Sequence, residues 1–346
     1  MIVPHSRLTI DQDDIKAVAD VLASGMIAQG VKVKEFEDAL AGYVGVKYGV
    51  AVYSGTAALH LALLGLGVGP GDEVVIPSYV CSSLYFAVRQ AGAVPKIADI
   101  SLQDLNICAE EVGKLITPKT RAVVVPHMFG TPAELEELLE LGVPIIEDCA
   151  QALGAEYKGR KVGSFGEMSV FSFYATKVMT TGEGGMILTN KEDLYLKVKD
   201  LREYDKKPLS PVKYNYKMTD FQAAMGLSQL GKLESFIKRR RQIASGYSRF
   251  FSRLRVKSLE GLAHRSSIFY RYIIMVDALE KIQTCLKEAG VVCERPVAKP
   301  LHHDLVDFRC PNSDEAYGRA LSVPLYPSLS DAEISYVLET FDNVVA

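Results

Sequence analysis

The sequence predicts an α/β fold in which helices cover both faces of one sheet. Apolar runs of strand length alternate with helical stretches in the first half of the chain; the runs are residues 50–53, 73–76, 122–125 and 143–148. A run that is apolar throughout is typical of a parallel strand buried on both faces. With 346 residues, 48% hydrophobic and 23% charged, the chain can bury one large core and one smaller domain.

The first element in this order is a strand, a tight turn and a helix. The turn is formed by Ser54, Gly55 and Thr56, and residues 57–64 are strong helix formers. Backbone N–H groups and the positive end of the helix then face an anion, and glycine allows it to approach closely. An ordinary helix cap at Ser54 would explain the same residues without a ligand.

The next clear element is a crossover helix between the strand at residue 122 and the strand that ends at Asp148. Thr131 is expected to cap this helix, with Pro132 at the first helical position and Glu134 completing a capping box. A stripe of leucines supplies its buried face until Gly142 ends it. This crossover places His127 and Asp148 at the same edge of the sheet, where ligands bind in open α/β sheets.

Lys177 lies between an aromatic strand end and a glycine-rich turn that leads into the apolar residues 186–188. An amine there and the carboxylate of Asp148 at a neighbouring strand end suggest a cofactor site. Pyridoxal phosphate requires such a pair, because a lysine forms a Schiff base with its aldehyde while an acid keeps its pyridine nitrogen protonated. A solvated surface lysine and a helix-capping aspartate would explain each residue separately.

The last third of the chain predicts a smaller domain. A helix runs from residue 220 to residue 253 as a long connector, and residues 269–276 read as a strand. We therefore expect a large domain over residues 1–235 and a small domain over residues 236–346. The basic residues 238–241 are expected to be a solvated helix face; the alternative is a phosphate patch, in which some of them contact a nucleotide sugar. Ser330 and Glu333 form a second capping box at the start of the last helix.

Ordered motifs over nearly the whole length of the chain connect it to a known family; they are residues 22–30, 33–37, 54–63, 71–78, 147–152, 163–166, 172–185, 214–224 and 321–327. In these segments the sequence resembles the DegT/DnrJ/EryC1/StrS family of pyridoxal-phosphate sugar aminotransferases. The resemblance implies a fold type I transferase, with a mostly parallel seven-stranded sheet and a smaller C-terminal α/β domain. It also implies that Lys177 forms the Schiff base, that Asp148 faces the pyridinium and that Gln151 lies near the phenolic oxygen.

The resemblance also assigns a phosphate site and a partner. Gly55 and Thr56 match the phosphate-binding backbone, and Ser172 matches a hydroxyl that reaches the same phosphate. Asn215 matches an asparagine that crosses to the phosphate of the neighbouring subunit. A homodimer with composite active sites is therefore expected.

The sequence departs from the family at the ring-stacking position. Many relatives place an aromatic residue on the cofactor ring, whereas the register puts Cys81 there, with Tyr79 or Tyr85 as substitutes. Tyr174 and Ala175 also replace a common His-Pro pair before the lysine. These changes leave the amine and the acid intact and affect ring packing and substrate preference.

The activity that the resemblance implies is transfer of an amino group, with glutamate as a plausible donor, to a nucleotide-linked keto sugar. One alternative is a sugar-modifying lyase or dehydratase with the same cofactor. Relatives that keep the aminated cofactor free typically replace the lysine, so the retained Lys177 argues against that version alone. The other alternative is a non-catalytic regulatory protein that binds pyridoxal phosphate.

Composition and charge narrow the remaining classes. A net charge of −3 gives no electrostatic reason to expect nucleic-acid binding, and no stretch approaches the roughly 20 apolar residues that span a bilayer. The six cysteines form no CxxC pair, so a cytoplasmic protein with free thiols is expected. His302 and His303 lack further ligands at suitable spacing, so no metal site is expected. Each of Arg7, Arg202 and Arg295 could bind a carboxylate or phosphate, or form an ordinary ion pair.

Overall fold

The computed structural model describes residues 1–259, 264–305 and 307–345. Its helices are α1 Gln12–Ser24, α2 Val31–Val44, α3 Gly55–Gly65, α4 Ser83–Gln90, α5 Ala109–Gly113, α6 Leu135–Leu139, α7 Glu192–Leu201, α8 Asp220–Arg253, α9 Leu279–Glu288, α10 Pro311–Arg319 and α11 Asp331–Val345. Its strands are β1 Tyr48–Val52, β2 Glu73–Pro77, β3 Val94–Ala98, β4 Thr120–Pro126, β5 Ile145–Asp148, β6 Glu156–Tyr157, β7 Arg160–Lys161, β8 Met168–Ser172, β9 Gly185–Thr189, β10 Lys257–Ser258, β11 Arg265–Ser266, β12 Tyr272–Met275 and β13 Ala320–Val323. Short 3-10 turns lie at Met128–Gly130 and Leu301–Asp304.

The central sheet has seven strands in the order β1-β9-β8-β5-β4-β2-β3. Strand β9 is antiparallel to both of its neighbours, and the other adjacent pairs are parallel. The predicted α/β fold with a mostly parallel sheet is therefore confirmed. Each of the four apolar runs supplies most of its residues to a strand of this sheet, while Tyr53, Val143 and Pro144 lie outside the strand bounds.

Helices cover the two faces of this sheet and make two separate cores. Val50 and Val52 of β1 face the core under α3, α4 and α7, whereas Ala51 between them faces the core under α2 and the first half of α8. This alternation follows from the two-residue period of a strand. The strand ends are thereby fixed from both sides, which holds the side chains at the sheet edge in place.

A second sheet, which is antiparallel and has the order β10-β12-β13, lies in the C-terminal part of the chain. It packs with α9, α11 and the second half of α8 around a third core. The long helix was predicted with its observed bounds, and it continues through residue 235 without a break. The division into residues 1–235 and 236–346 stays a prediction, with its boundary inside α8.

Strand β12 begins later than predicted, at Tyr272 rather than at residue 269. Phe269 has a φ of 49°, which interrupts the extended conformation. The segment before the strand instead bonds to the turn at residues 128–130: the N–H of Ile268 donates to the carbonyl of Gly130, and the N–H of Arg271 donates to that of Phe129. This contact places Tyr270 against the large sheet.

The predicted start of α6 is wrong. The helix begins at Leu135, because its expected capping residues bond elsewhere. The carboxylate of Glu134 accepts from the hydroxyl of Tyr157 and lies 2.8 Å from the ring of His264, and the hydroxyl of Thr131 bonds to Ser267 at 3.0 Å. The second capping box is confirmed: the Ser330 N–H donates to the Glu333 carboxylate at 2.8 Å, and the Glu333 N–H donates back at 3.2 Å.

The basic residues 238–241 are not simply a solvated face. Arg240 is buried and donates to the backbone carbonyls of Tyr270 and Leu325 at 3.1 and 3.0 Å. Arg241 donates to the carbonyl of Ser267 at 2.9 Å. The run therefore joins α8 to the segment that precedes β12. Within the described part of the chain, no helix has the length and apolar character needed to cross a membrane.

Candidate active site

A cavity of about 280 Å³ lies at the carboxyl ends of β5 and β8. Of the predicted site residues, it is lined by Gly55, Thr56, Cys81, Asp148, Gln151, Ser172 and Lys177. These residues come from four separate segments of the chain, which the sheet order brings to one edge. The structure thus places the predicted amine, acid and anion-binding turn around one space.

The wall formed by the start of α3 is built for close backbone approach. The hydroxyl of Ser54 caps the helix by accepting from the N–H of Ala57 at 3.1 Å. A Cβ on Gly55 would lie 2.8 Å from the Cβ of Ser172, so only glycine fits between the helix and β8. The first N–H groups of a helix have no partner inside it. They give this wall the donors and the positive dipole end that bind phosphate.

The acid at the opposite wall is Asp148, which is buried at 7% exposure. Its Oδ1 accepts from the N–H of Ala150 at 3.0 Å. Burial raises the pKa of the Asp148 carboxyl above its ordinary value, although that N–H bond and the positive charge of Lys177 oppose the shift. A carboxylate that water does not stabilise gains most from a cationic partner inside the cavity.

Lys177 is half-buried in the loop between β8 and β9. The loop is closed by backbone bonds from Phe173 N–H to the Gly184 carbonyl and from Thr181 N–H to the Phe173 carbonyl, at 2.9 and 3.0 Å. The Lys177 N–H also donates to the carbonyl of Tyr174 at 2.9 Å. These bonds hold the lysine backbone, while its Nζ lies 5.5 Å from the ring centroid of Tyr270.

A buried network fixes His127, which lines the same cavity. The Ala133 N–H donates to His127 Nδ1 at 3.0 Å, so Nε2 carries the proton and donates to Glu147 at 3.1 Å. Glu147 also accepts three backbone N–H groups, from Gly163, Phe165 and Gly166, each at 2.7 Å. Burial opposes its ionisation, but the bond from His127 and the backbone bonds hold the pKa of Glu147 below its usual value.

The side of the cavity expected to stack on the cofactor contains Cys81, which is exposed. Tyr79 does not substitute for it, because this tyrosine is fully buried and packs against Phe129 with ring centroids 6.5 Å apart. Tyr85 is half-buried and packs against Phe86 at 5.6 Å. Of the three residues suggested for ring stacking, Cys81 is the one that lines the cavity, and its place on the cofactor ring stays a prediction.

Asn215 lies apart from the residues that line the cavity. It is exposed, between Tyr214 and Tyr216, whose rings both pack on His60 at 5.1 and 5.9 Å. The backbone of this segment is held by the bond from Tyr53 N–H to the Tyr216 carbonyl at 3.1 Å. The two tyrosines face the protein, so the asparagine between them faces outward.

The three arginines suggested as ligand contacts all form intramolecular ion pairs. Arg7 pairs with Glu333 at 2.8 Å, Arg202 with Glu37 at 2.6 Å, and Arg295 with Glu280. The structure also places a carboxylate, which sequence reasoning did not identify, beside the two consecutive histidines. Both His302 and His303 lie within hydrogen-bond reach of Asp314, at 3.2 and 2.6 Å.

Sequence reasoning missed the roles of Glu147 and Tyr270. Glu147 precedes Asp148 directly, so a strand with alternating sides would have placed the two carboxylates on opposite faces of the sheet. The donors that surround Glu147 come from residues 163–166, a recognised motif whose purpose only the fold reveals. Tyr270 had no local signal, because its contact with Lys177 joins residues 93 positions apart.

The cavity fits pyridoxal phosphate. The start of α3 and the Ser172 hydroxyl suit its phosphate, the buried Asp148 suits its ring nitrogen, and Lys177 suits its aldehyde. Fold and site together define a pyridoxal-phosphate-dependent enzyme of fold type I. The chain belongs to the DegT/DnrJ/EryC1/StrS aminotransferase family, whose model matches residues 8–342.

Relatives and solved structures agree with this assignment. The chain is 35% identical over 332 residues to GDP-perosamine synthase of Caulobacter vibrioides, covering 90% of this chain and 89% of that one. It superposes on the aminotransferase TlmJ from Streptoalloteichus hindustanus with a TM-score of 0.94 and 31% identity, covering 99% of each chain. Spr1654 from Streptococcus pneumoniae, solved in a PLP form and a PMP form, gives a TM-score of 0.94 and 29% identity over 100% of this chain and 98–99% of its own.

Proposed function

We propose that this aminotransferase moves an amino group from glutamate to a keto sugar that carries a nucleotide. The observation that carries the proposal is the single cavity that joins Lys177, Asp148 and the start of α3. Similarity to GDP-perosamine synthase supports a nucleotide-linked sugar as the acceptor. The retained lysine argues against a dehydratase that keeps the aminated cofactor free, and it fits amino transfer, because both halves of a transamination need a lysine that can be displaced and return.

The cofactor supplies one property when bound: its ring accepts electron density from the carbon whose amino group is transferred. The protein supplies the rest. The ionised Asp148 would hold a proton on the ring nitrogen, and its burial strengthens that interaction because little water screens it. Lys177 would hold the aldehyde carbon and, once displaced, would move a proton from the alpha carbon of the donor to that aldehyde carbon.

The remaining walls bind and orient. The N–H groups of Gly55 and Thr56 and the hydroxyl of Ser172 would bind the phosphate. Gln151 is fixed because its Oε1 accepts from the N–H of Phe129 at 3.0 Å, which leaves its amide N–H groups to face the cavity. Cys81 presents a small apolar wall in place of a ring. Because the Cys81 side chain is small, it would leave more room above the cofactor than an aromatic side chain would.

A homodimer with composite sites is part of the proposal. Large apolar side chains are exposed along a groove between α1 and the start of α8; they are Met26 at 74%, Ile27 at 46% and Val31 at 69%. Exposed apolar side chains grouped in this way are typical of a protein interface. The outward Asn215 would then reach the phosphate site of the partner subunit.

The test is a screen of nucleotide-linked keto sugars with the cofactor-loaded protein and glutamate. We expect a product in which NH₂ and H replace the keto oxygen, measured by mass, together with an equal amount of 2-oxoglutarate. The Lys177→Ala variant is the control for uncatalysed transfer. A sugar that loses water without gaining nitrogen would instead assign the dehydratase alternative. Cofactor binding without turnover of any sugar or of glutamate would assign the regulatory alternative.

A further inference from the structure

Tyr270 belongs to the C-terminal part of the chain, yet the fold places it beside the lysine of the large sheet. Ile268 and Arg271 bond through their N–H groups to the carbonyls of Gly130 and Phe129, at 3.0 and 3.3 Å. A Cβ on Gly130 would lie 2.7 Å from the backbone nitrogen of Tyr270, so the two segments are in direct contact. Gly130 has a φ of 90°, a conformation that glycine adopts without strain. Tyr270 is thus positioned by backbone contacts on both of its sides.

The environment of this phenol is cationic. The ammonium group of Lys177 lies 5.5 Å from its ring centroid, and the guanidinium of Arg271 lies 5.3 Å from it. Arg240 of α8 donates to the Tyr270 carbonyl at 3.1 Å, and the Thr176 hydroxyl lies 3.4 Å from the phenol oxygen. Tyr270 itself is 6% exposed. Three positive charges therefore act on one phenol that water hardly reaches.

The group packed behind Arg271 does not neutralise it. His5 lies 2.8 Å from the Arg271 guanidinium, and burial together with that charge lowers the pKa of His5 to about 3. The imidazole is therefore neutral at physiological pH. Burial alone would raise the pKa of Tyr270, but the charges of Lys177 and Arg271 and the bond to Thr176 hold it below its ordinary value.

We propose that Tyr270 is a positioning residue for Lys177, which holds the displaced amine over the face of its aromatic ring. The proposal rests on the proposed amino transfer, because only a displaced lysine needs such a partner. The ring face attracts the ammonium form of Lys177, which lies 5.5 Å from its centroid, and the positive charge of that ammonium group in turn favours the ionised form of the phenol.

The first test measures this coupling in the cofactor-free protein. Tyrosine labelled with carbon-13 at Cζ is titrated by NMR, and the Tyr270→Phe variant identifies its signal. Replacement of Lys177 by Met should raise the pKa of Tyr270 by about one unit, the size expected for loss of a desolvated cation beside an aromatic ring. The matched control is Lys217→Met, whose amine lies 5.9 Å from the ring of Tyr204 on the surface. An unchanged Tyr270 titration in Lys177→Met would overturn the proposal.

The second test compares Tyr270→Leu, which removes the aromatic ring, with Tyr270→Phe, which keeps it. We expect kcat at neutral pH to fall about tenfold in Tyr270→Leu and to stay within about threefold of the wild type in Tyr270→Phe, with KM for the keto sugar unchanged in both. A residue with only a structural role would lower the melting temperature without this difference in kcat between the two variants. If kcat of Tyr270→Leu equals that of an active wild type, the role of Tyr270 is refuted and the proposed function stands. If the wild type transfers no amino group, the proposed function itself has failed.

Discussion

Two buried carboxylates stand next to each other in β5, and the structure predicts opposite consequences when each is made neutral. In Asp148→Asn the amide oxygen still accepts from the Ala150 N–H, so the fold is kept. The lost charge faces the cofactor ring in a site that water does not screen. Removing one partner of a buried charge pair costs about 3–5 kcal/mol, and the retained acceptor favours the lower part of that range. We therefore expect kcat to fall roughly 100- to 1,000-fold.

The stability effect has the opposite sign for the two residues. Folding raises the pKa of Asp148, so its ionised form costs stability, and this cost disappears as the pH falls through the raised value. Cofactor-free Asp148→Asn should therefore melt at or above the wild-type temperature near neutral pH. Folding lowers the pKa of Glu147, so its contribution is present above the ordinary carboxyl pKa and is lost as the pH falls through the lowered value.

The matched control is Glu147→Gln. All four groups that bond to Glu147 are donors, so an amide NH₂ must face at least one of them, at a cost of about 1–3 kcal/mol. This variant should melt below the wild type with and without cofactor. The assay is thermal unfolding of both cofactor-free variants over a pH series, together with kcat. Asp148→Asn that transfers amino groups within a few-fold of the wild-type rate, or that melts well below it, would refute the reasoning.

Three further predictions concern Gly55, Asn215 and Cys81. Gly55→Ala should destabilise the fold by about 1–3 kcal/mol and weaken cofactor binding, because its Cβ would lie 2.8 Å from that of Ser172. Adding Ser172→Gly in the same chain should recover part of the stability, measured by denaturant titration. If no stability is recovered, this clash is excluded as the cause. Asn215→Ala should lose cofactor affinity in equilibrium dialysis and regain activity when mixed with Lys177→Ala; absent complementation after verified subunit exchange would contradict a composite site. Bound cofactor should slow alkylation of Cys81, measured by peptide mass, and equal rates with and without cofactor would place that thiol outside the site.

The extent to which sequence predicts this molecule is clearest in its two capping boxes. The motifs at residues 131–134 and 330–333 are equally good locally, yet only the second forms, because Glu134 bonds to Tyr157 and His264 instead. Those partners are 23 and 130 residues away. Periodicity predicted the strands and α8 well, since the burial of a strand or a helix face is a repeated local signal.

The same limit applies to the cavity. Lys177, Asp148 and the turn at Gly55 were predictable because each carries a local motif at a strand end. The arginine of α8 was expected in solvent because α8 alone cannot reveal that Arg240 meets the carbonyls before β12. Tyr270 was missed for a related reason, since its place depends on how one segment docks on the turn at Phe129.

The most direct test of the central claim is to reduce the cofactor-loaded protein with borohydride and to map the modified peptide by mass spectrometry. The account predicts one pyridoxyl phosphate group per chain, attached to Nζ of Lys177, and none when glutamate is added before the reduction. Attachment to a different lysine, or label on Lys177 that glutamate does not prevent, would contradict it.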